Sequence, residues 1–220
     1  MSILKLTDFN TAEFDYSLEI YKSSFPSNET RPTHNIVDLL TYDKNYQLFV
    51  CLKDDLVVGI SLMYVFRSLG FGLLDYMAVK PDYQGQGLGR EIFEGTFERF
   101  ASDIPNGTGL VMEIQREDIP NLQEREINER KNRIRFYMKM GVKILEGVNY
   151  FLPPIQHGIK PEAMYLMIRL HSERQYLPKE SVFQYIRAIY STIYQYHAND
   201  LLDNISKQLP GKTILSDMVL

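Results

Sequence analysis

The stretch "AVKPDYQGQGLGREIFEGTFERF", Ala78 to Phe100, sets three glycines within five residues directly ahead of an amphipathic helical pattern. Glycine inside a helix costs about 1 kcal/mol relative to alanine, so Gly85, Gly87 and Gly89 read as a loop that needs positive φ or close approach of its backbone to something else. The first N–H groups of a helix are unpaired and carry about half a positive charge, and glycines that bare them make an anion cradle. The helix is legible on its own: Leu88, Ile92, Thr96, Phe97 and Phe100 fall on one face, with Arg90, Glu94, Glu98 and Arg99 mostly off it. Before the loop, "GFGLLDYMAV" reads as a buried strand. Glycine count alone is equally compatible with an ordinary turn between strand and helix.

Two familiar phosphate loops do not match. A Walker A loop requires G-x-x-x-x-G-K-[ST], and neither Lys-Ser nor Lys-Thr follows these glycines. The dinucleotide fingerprint G-x-G-x-x-G is one residue longer than Gly85-Gln86-Gly87-Leu88-Gly89. The pattern that fits is [Q/R]-x-x-G-x-[G/A], read at Gln84, Gly87 and Gly89 after a strand ending Ala78-Val79-Lys80-Pro81; it resembles the acetyl-CoA pyrophosphate loop of the GCN5-related N-acetyltransferases.

A second element, "NRIRFYMKMGVKIL" from Asn132 to Leu145, resembles that family's Tyr-x-x-x-Gly helix end, with Tyr137 and Gly141 in register. Ile127, Ile134, Tyr137 and Met138 line one helical face, Lys139 sits in the last turn, and Gly141 supplies the stop. Two departures are visible: Val142 stands where the family usually has phenylalanine, and the helix is unusually basic, with Arg125, Arg130, Lys131, Arg133 and Arg135. Those cations are interleaved with Glu124, Glu126 and Glu129, which reads as a solvated, salt-bridged face.

The resemblance implies acetyl-CoA as co-substrate, with its phosphates on Gln84, Gly85, Gln86, Gly87, Leu88, Gly89 and Arg90 and its pantetheine arm paired like a strand with the backbone of Met77, Ala78 and Val79. It also implies Tyr137 as donor to the departing thiolate, a role suited to a phenol that is protonated at neutral pH. The alternative for Tyr137 is a core tyrosine. A base is suggested by Asp75, which interrupts "GLLDYMAV", and by Glu113, which interrupts "GLVMEIQ": a carboxylate there is costly to bury unless something needs it. The resembled fold puts these strands side by side, parting near the acyl group. Either carboxylate could instead face solvent or pair with an arginine. Glu113 is slightly preferred as base.

The chain has 220 residues, 45% hydrophobic and 24% charged, which is the composition of a globular protein. A net charge of −4 gives no basic field for nucleic acid or an anionic membrane. The single cysteine, Cys51, lies in an apolar strand pattern and reads as core. His34, His157, His171 and His197 are scattered without metal spacing, so no metal is expected. "MSILKLTDFN" has no signal-like start, and no run of about 18 apolar residues occurs, so a cytoplasmic, non-membrane protein is the default expectation.

Along the chain, periodicity predicts strands over 3–7, 46–53, 56–66, 71–79, 109–115, 142–150 and 163–170, and helices over 11–24, 34–43, 87–102 and 120–140. "KDD" at Lys53 to Asp55 and "SLGFG" at Ser68 to Gly72 read as hairpin turns. The expected fold is α/β (α+β): a mixed, mostly antiparallel central sheet with helices on both faces, in the resembled family's order, plus an added C-terminal helix. The expected organisation is an acetyltransferase-like domain over 1–172 and a C-terminal helical extension over 173–220, with Pro178 and a Ser181 cap at its start. Its Tyr185, Tyr190, Tyr194 and Tyr196 exceed what one apolar stripe needs; docking on the chain's own sheet is favoured over a homodimer surface.

The function these readings imply is acyl-CoA-dependent N-acetyl transfer to a primary amine of a small molecule or peptide. The alternative is a non-catalytic acyl-CoA-binding or interaction module of the same fold. The acceptor pocket is expected from residues 11–43, the "YVFRSLGFG" hairpin and the "YFLPPIQHGIKPEAM" loop.

Overall fold

Two consecutive aspartates close the first central hairpin. Asp54 and Asp55 both take positive φ, 50° and 61°, the conformation of a type I′ turn, whose twist matches that of the strands it joins. Those strands are β2 (Tyr46–Lys53) and β3 (Leu56–Phe66), as the "KDD" reading expects. The structure is a computed structural model that describes residues 2–25, 29–154 and 160–217. The chain forms two units, Met1–Asn106 and Gly107–Leu220.

In the first unit β1 (Ser2–Leu6), β2, β3 and β4 (Phe71–Val79) pair in chain order, each antiparallel to the next. Helix α1 (Ala12–Ser24) starts at Thr11, whose hydroxyl accepts the Phe14 N–H at 3.3 Å; α2 (Thr33–Tyr42) and α3 (Leu88–Asp103) complete the unit. Neighbouring residues of a strand point to opposite faces, and β4 shows which helix takes which. Tyr76 meets Tyr21 of α1 edge-on at 4.8 Å, whereas Met77 and Val79 pack with Leu88 and Ile92 of α3. Helices therefore cover both faces. The Ser61 and Thr96 hydroxyls, 2.6 Å apart and both buried, fix α3 over β3. Cys51 is 1% exposed beside Leu88 and Ile92, and burial pushes its thiol up, which makes it a core residue.

In the second unit the strand order is β5 (Gly109–Gln115), β8 (Glu162–Leu170), β6 (Val142–Leu145), β10 (Lys212–Ser216), β9 (Tyr176–Pro178), with β7 (Tyr150–Leu152) also on β8. All these pairings are antiparallel. The single strand expected over 142–150 is two: β6 lies against Arg169 to Met167 and β7 against Met164 to Glu162, with a turn at Gly147 between them. Helix α4 (Glu124–Met138) begins later than the expected residue 120, because Asn121 turns left-handed at φ 67° and Gln123 then forms a capping box with Glu126.

The C-terminal segment is not helical alone. Besides α5 (Lys179–Thr192) and α6 (Asn199–Gln208) it supplies β9 and β10, and β10 joins β6 through Leu215 opposite Leu145. The five residues "KTILS" carry too short an alternation to be read as a strand without that partner. Pro178, extended at φ −61° and ψ 146°, rather than Ser181, caps α5. The helix buries Val182, Tyr185, Ile186, Ile189 and Tyr190. Tyr185 donates to Thr108 Oγ1 at 2.9 Å and Tyr190 donates to the Phe151 carbonyl, so these aromatic surfaces are used internally. Of the expected acceptor loop over 150–164, residues 155–159 lie outside the described residues, as does His157.

Candidate active site

The loop after β4 is shaped for its glycines. Pro81 to Tyr83 make one short turn, Gly85 and Gly87 take φ of 75° and 85°, and Gly87 is the residue from which α3 starts. A Cβ at either glycine would meet no atom within 4 Å, so their absence of side chains serves backbone conformation and an open approach, not internal packing. Unlike α1 and α4, α3 has no side-chain cap. Among the described residues no side chain caps this end, the Leu88 and Gly89 N–H groups precede the first intrahelical bond, and residues 84 to 87 are exposed.

Gln84 and Gln86 hold this shape. Gln84 Nε2 donates to the Val79 carbonyl at 2.9 Å, tying the loop back to the end of β4, and Gln86 Nε2 donates to the Asp82 carbonyl at 3.3 Å. Lys53 Nζ donates to Gln86 Oε1 at 2.7 Å and lies 5.6 Å from the Tyr83 ring, which places a cation at the loop. Arg90, in the first turn of α3, is exposed. Beneath the loop, Leu88 and Ile92 are anchored among Cys51, Val58, Met77, Val79 and Tyr83. The result is a rigidly seated helix end with bare N–H groups and nearby cations, an arrangement that suits a phosphate.

Asp75 lies in the same unit but in a different setting. In the β3–β4 ladder Leu62 pairs with Tyr76 and Met63 with Leu74, so Asp75 is the extra residue of a β-bulge, a device that re-aims a side chain. Its carboxylate is 2% exposed; it pairs with Arg31 Nη2 and accepts the Tyr46 O–H at 2.5 Å. Arg31 also donates to Tyr46 Oη at 2.9 Å and lies 5.4 Å from the Tyr76 ring, while Tyr21 donates to its carbonyl at 2.9 Å. Burial, then the Asp75 charge, pushes the Tyr46 phenol well up, which keeps it a donor. The carboxylate stands out in the sequence, whereas Arg31, 44 residues away in the chain, does not.

This geometry favours anchorage of the segment before α2 over proton abstraction by Asp75. Asp75→Ala strands a buried guanidinium, and the expected cost is about 3–5 kcal/mol of stability. Urea denaturation checks it; a midpoint equal to that of the parent protein contradicts the anchoring role.

In the second unit Glu113 is half-buried on β5, and both of its oxygens are held: Tyr150 donates to Oε1 and Tyr194 donates to Oε2 at 2.5 Å. Two residues along, Gln115 Oε1 accepts Arg133 Nη1 of α4 at 2.6 Å. Tyr137 is buried on α4, its ring edge-on to Phe136 at 5.1 Å. Burial pushes its phenol up to about 12, against a smaller opposing pull from Arg133. The turn after it is well defined: the Met140 N–H bonds the Tyr137 carbonyl at 2.9 Å, Gly141 takes φ 74°, and Arg169 donates to the Met140 carbonyl. Gly141 thus stops the helix as its sequence position suggests. Among the described residues no group of three His, Cys, Asp or Glu side chains could hold a metal ion, and no helix is long and apolar enough to cross a membrane.

The loop, both carboxylates and Tyr137 all fall within residues 44–144, the span that matches the family model of the acetyltransferase (GNAT) domain. Over that span the chain is similar to the GNAT acetyltransferases. It is similar in fold to a structure from Bacteroides thetaiotaomicron assigned to the GNAT family, at 20% identity and a TM-score of 0.71 over 90% of this chain and 100% of the other. An aminoglycoside 6'-N-acetyltransferase complexed with coenzyme A aligns at 15% identity and a TM-score of 0.59, over 79% of this chain and 99% of its own. The ribosomal-protein-S18-alanine N-acetyltransferase of Escherichia coli aligns at 19% identity and 0.52, over 80% and 99%. By sequence, no curated protein matches the chain.

Proposed function

We propose that the protein moves an acetyl group from acetyl-CoA directly to a primary amine of a small molecule or peptide. The observation that carries this reading is the uncapped, glycine-opened start of α3, built where the superfamily's pyrophosphate loop falls in the sequence. The Leu88 and Gly89 N–H groups, with Lys53 and Arg90 nearby, bind the phosphates, and the backbone of Met77, Ala78 and Val79 receives the pantetheine arm.

In the reaction the amine nitrogen attacks the thioester carbonyl; a C–N bond forms, the C–S bond breaks, and the proton lost by nitrogen passes to Glu113 directly or through water. Tyr137 serves the leaving sulfur. With its phenol near 12 and a thiol near 8.5, complete transfer of the proton is uphill, so the O–H stabilises the developing thiolate by hydrogen bonding and solvent completes the protonation.

Tyr137→Phe keeps the ring and removes that donor. The expected loss is about 10- to 10³-fold in kcat with little change in acetyl-CoA Kd, and it shrinks with acyl donors whose thiols are more acidic. Full activity across such donors contradicts the assignment. The function itself is tested by thiol release from acetyl-CoA across a panel of small and peptidyl primary amines. Turnover with at least one supports it; CoA binding without turnover on any favours a non-catalytic module.

A further inference from the structure

Glu113 is held by phenols that come from far along the chain, and one of them belongs to the C-terminal segment. We propose that Tyr194, just beyond α5, is a positioning residue that together with Tyr150 holds the Glu113 carboxylate in place as an ionised acceptor. This rests on Glu113 acting as the base in the function proposed above.

The geometry is specific. Tyr150 of β7 takes Oε1 and Tyr194 takes Oε2, so one donor comes from each side and the carboxylate cannot rotate without losing both. Tyr150 is itself fixed: it is 1% exposed, with its ring centroid 5.6 Å from that of Tyr190, and Tyr190 donates to the Phe151 carbonyl. Tyr194 is placed by the last turn of α5, where the Ile193 N–H bonds the Ile189 carbonyl at 2.9 Å and both isoleucines are buried. Burial and then the Glu113 charge push the Tyr150 phenol up, so it meets the carboxylate as a neutral group. Opposite Glu113 on β8 is the apolar Leu166, and Arg133 of α4 is engaged with Gln115, two residues along β5.

A hydrogen bond donated to a carboxylate favours its charged form and lowers its proton affinity. Removing one donor raises that affinity. Because a base works when deprotonated, the acidic limb of the pH–rate profile then moves to higher pH.

The test compares Tyr194→Phe, Tyr150→Phe and Glu113→Gln. Each Phe variant is expected to move the acidic limb of kcat/KM upward by about 0.5–1 pH unit while acetyl-CoA Kd stays within about twofold. In the protein carrying ¹³C-labelled glutamate, the Glu113 carboxyl resonance, assigned by its loss in Glu113→Gln, should titrate at correspondingly higher pH in Tyr194→Phe, without any substrate present. An unmoved titration in Tyr194→Phe overturns the positioning role whatever the activity does. A moved titration with kinetics that Glu113→Gln leaves intact keeps the phenol coupling but removes Glu113 from catalysis, so the two readings fail separately. Tyr194 is only half-buried, and Phe retains its ring, so the variant is expected to fold.

Discussion

Replacing Gly87 by glutamate is expected to weaken acetyl-CoA binding by more than about 100-fold. Two effects act together: the side chain projects into the open approach above the loop, and its charge opposes the pyrophosphate at the uncapped end of α3. The backbone contributes a third, since a φ of 85° costs an ordinary side chain about 1–2 kcal/mol. Gly87→Asn separates them. Asparagine tolerates the left-handed conformation and carries no charge, so it should retain most of the affinity. Calorimetry on variants shown to be folded by circular dichroism provides the comparison. An unchanged Kd for Gly87→Glu places the nucleotide elsewhere and removes the main support for the binding assignment.

Glu113→Gln is expected to lower turnover by roughly 10²- to 10⁴-fold at neutral pH with acetyl-CoA affinity nearly intact. The amide keeps the shape of the carboxylate but cannot take a proton, and one of the two phenols then faces an NH₂ group in place of an acceptor. That mismatch carries a stability cost of about 1–3 kcal/mol, so melting temperature must be followed beside rate. Wild-type turnover in a folded variant means that the amine loses its proton in solution or to another group.

What the sequence discloses follows from the range of the interactions involved. The α3 loop was legible because its signals are local: glycines at fixed offsets, a strand before and an amphipathic helix after. The Asp54–Asp55 turn and the Gly141 helix stop were legible for the same reason. The second unit's C-terminal strands were not, because β10 is five residues long and takes its meaning from β6, far earlier in the chain. The candidate site divides along the same line. Asp75 and Glu113 stood out as carboxylates in apolar strands, yet their partners did not: Arg31 lies 44 residues from Asp75, and Tyr150 and Tyr194 lie 37 and 81 residues from Glu113. Two carboxylates that look equivalent in sequence are thus distinguished only by tertiary contacts, a guanidinium for one and paired phenols for the other. The surplus tyrosines of the C-terminal helix were visible; that one of them reaches a carboxylate on β5 was not.

The claim of direct acetyl transfer is tested most directly by a single turnover with acetyl-CoA labelled in the acetyl group and an amine accepted in the panel assay, quenched at intervals and resolved into protein and small-molecule or peptide fractions. Direct transfer requires label to pass to the amine at the rate of thiol release, with the protein at its unmodified mass at every time point. Label accumulating on the protein before it reaches the amine, or CoA bound and no label transferred, contradicts it.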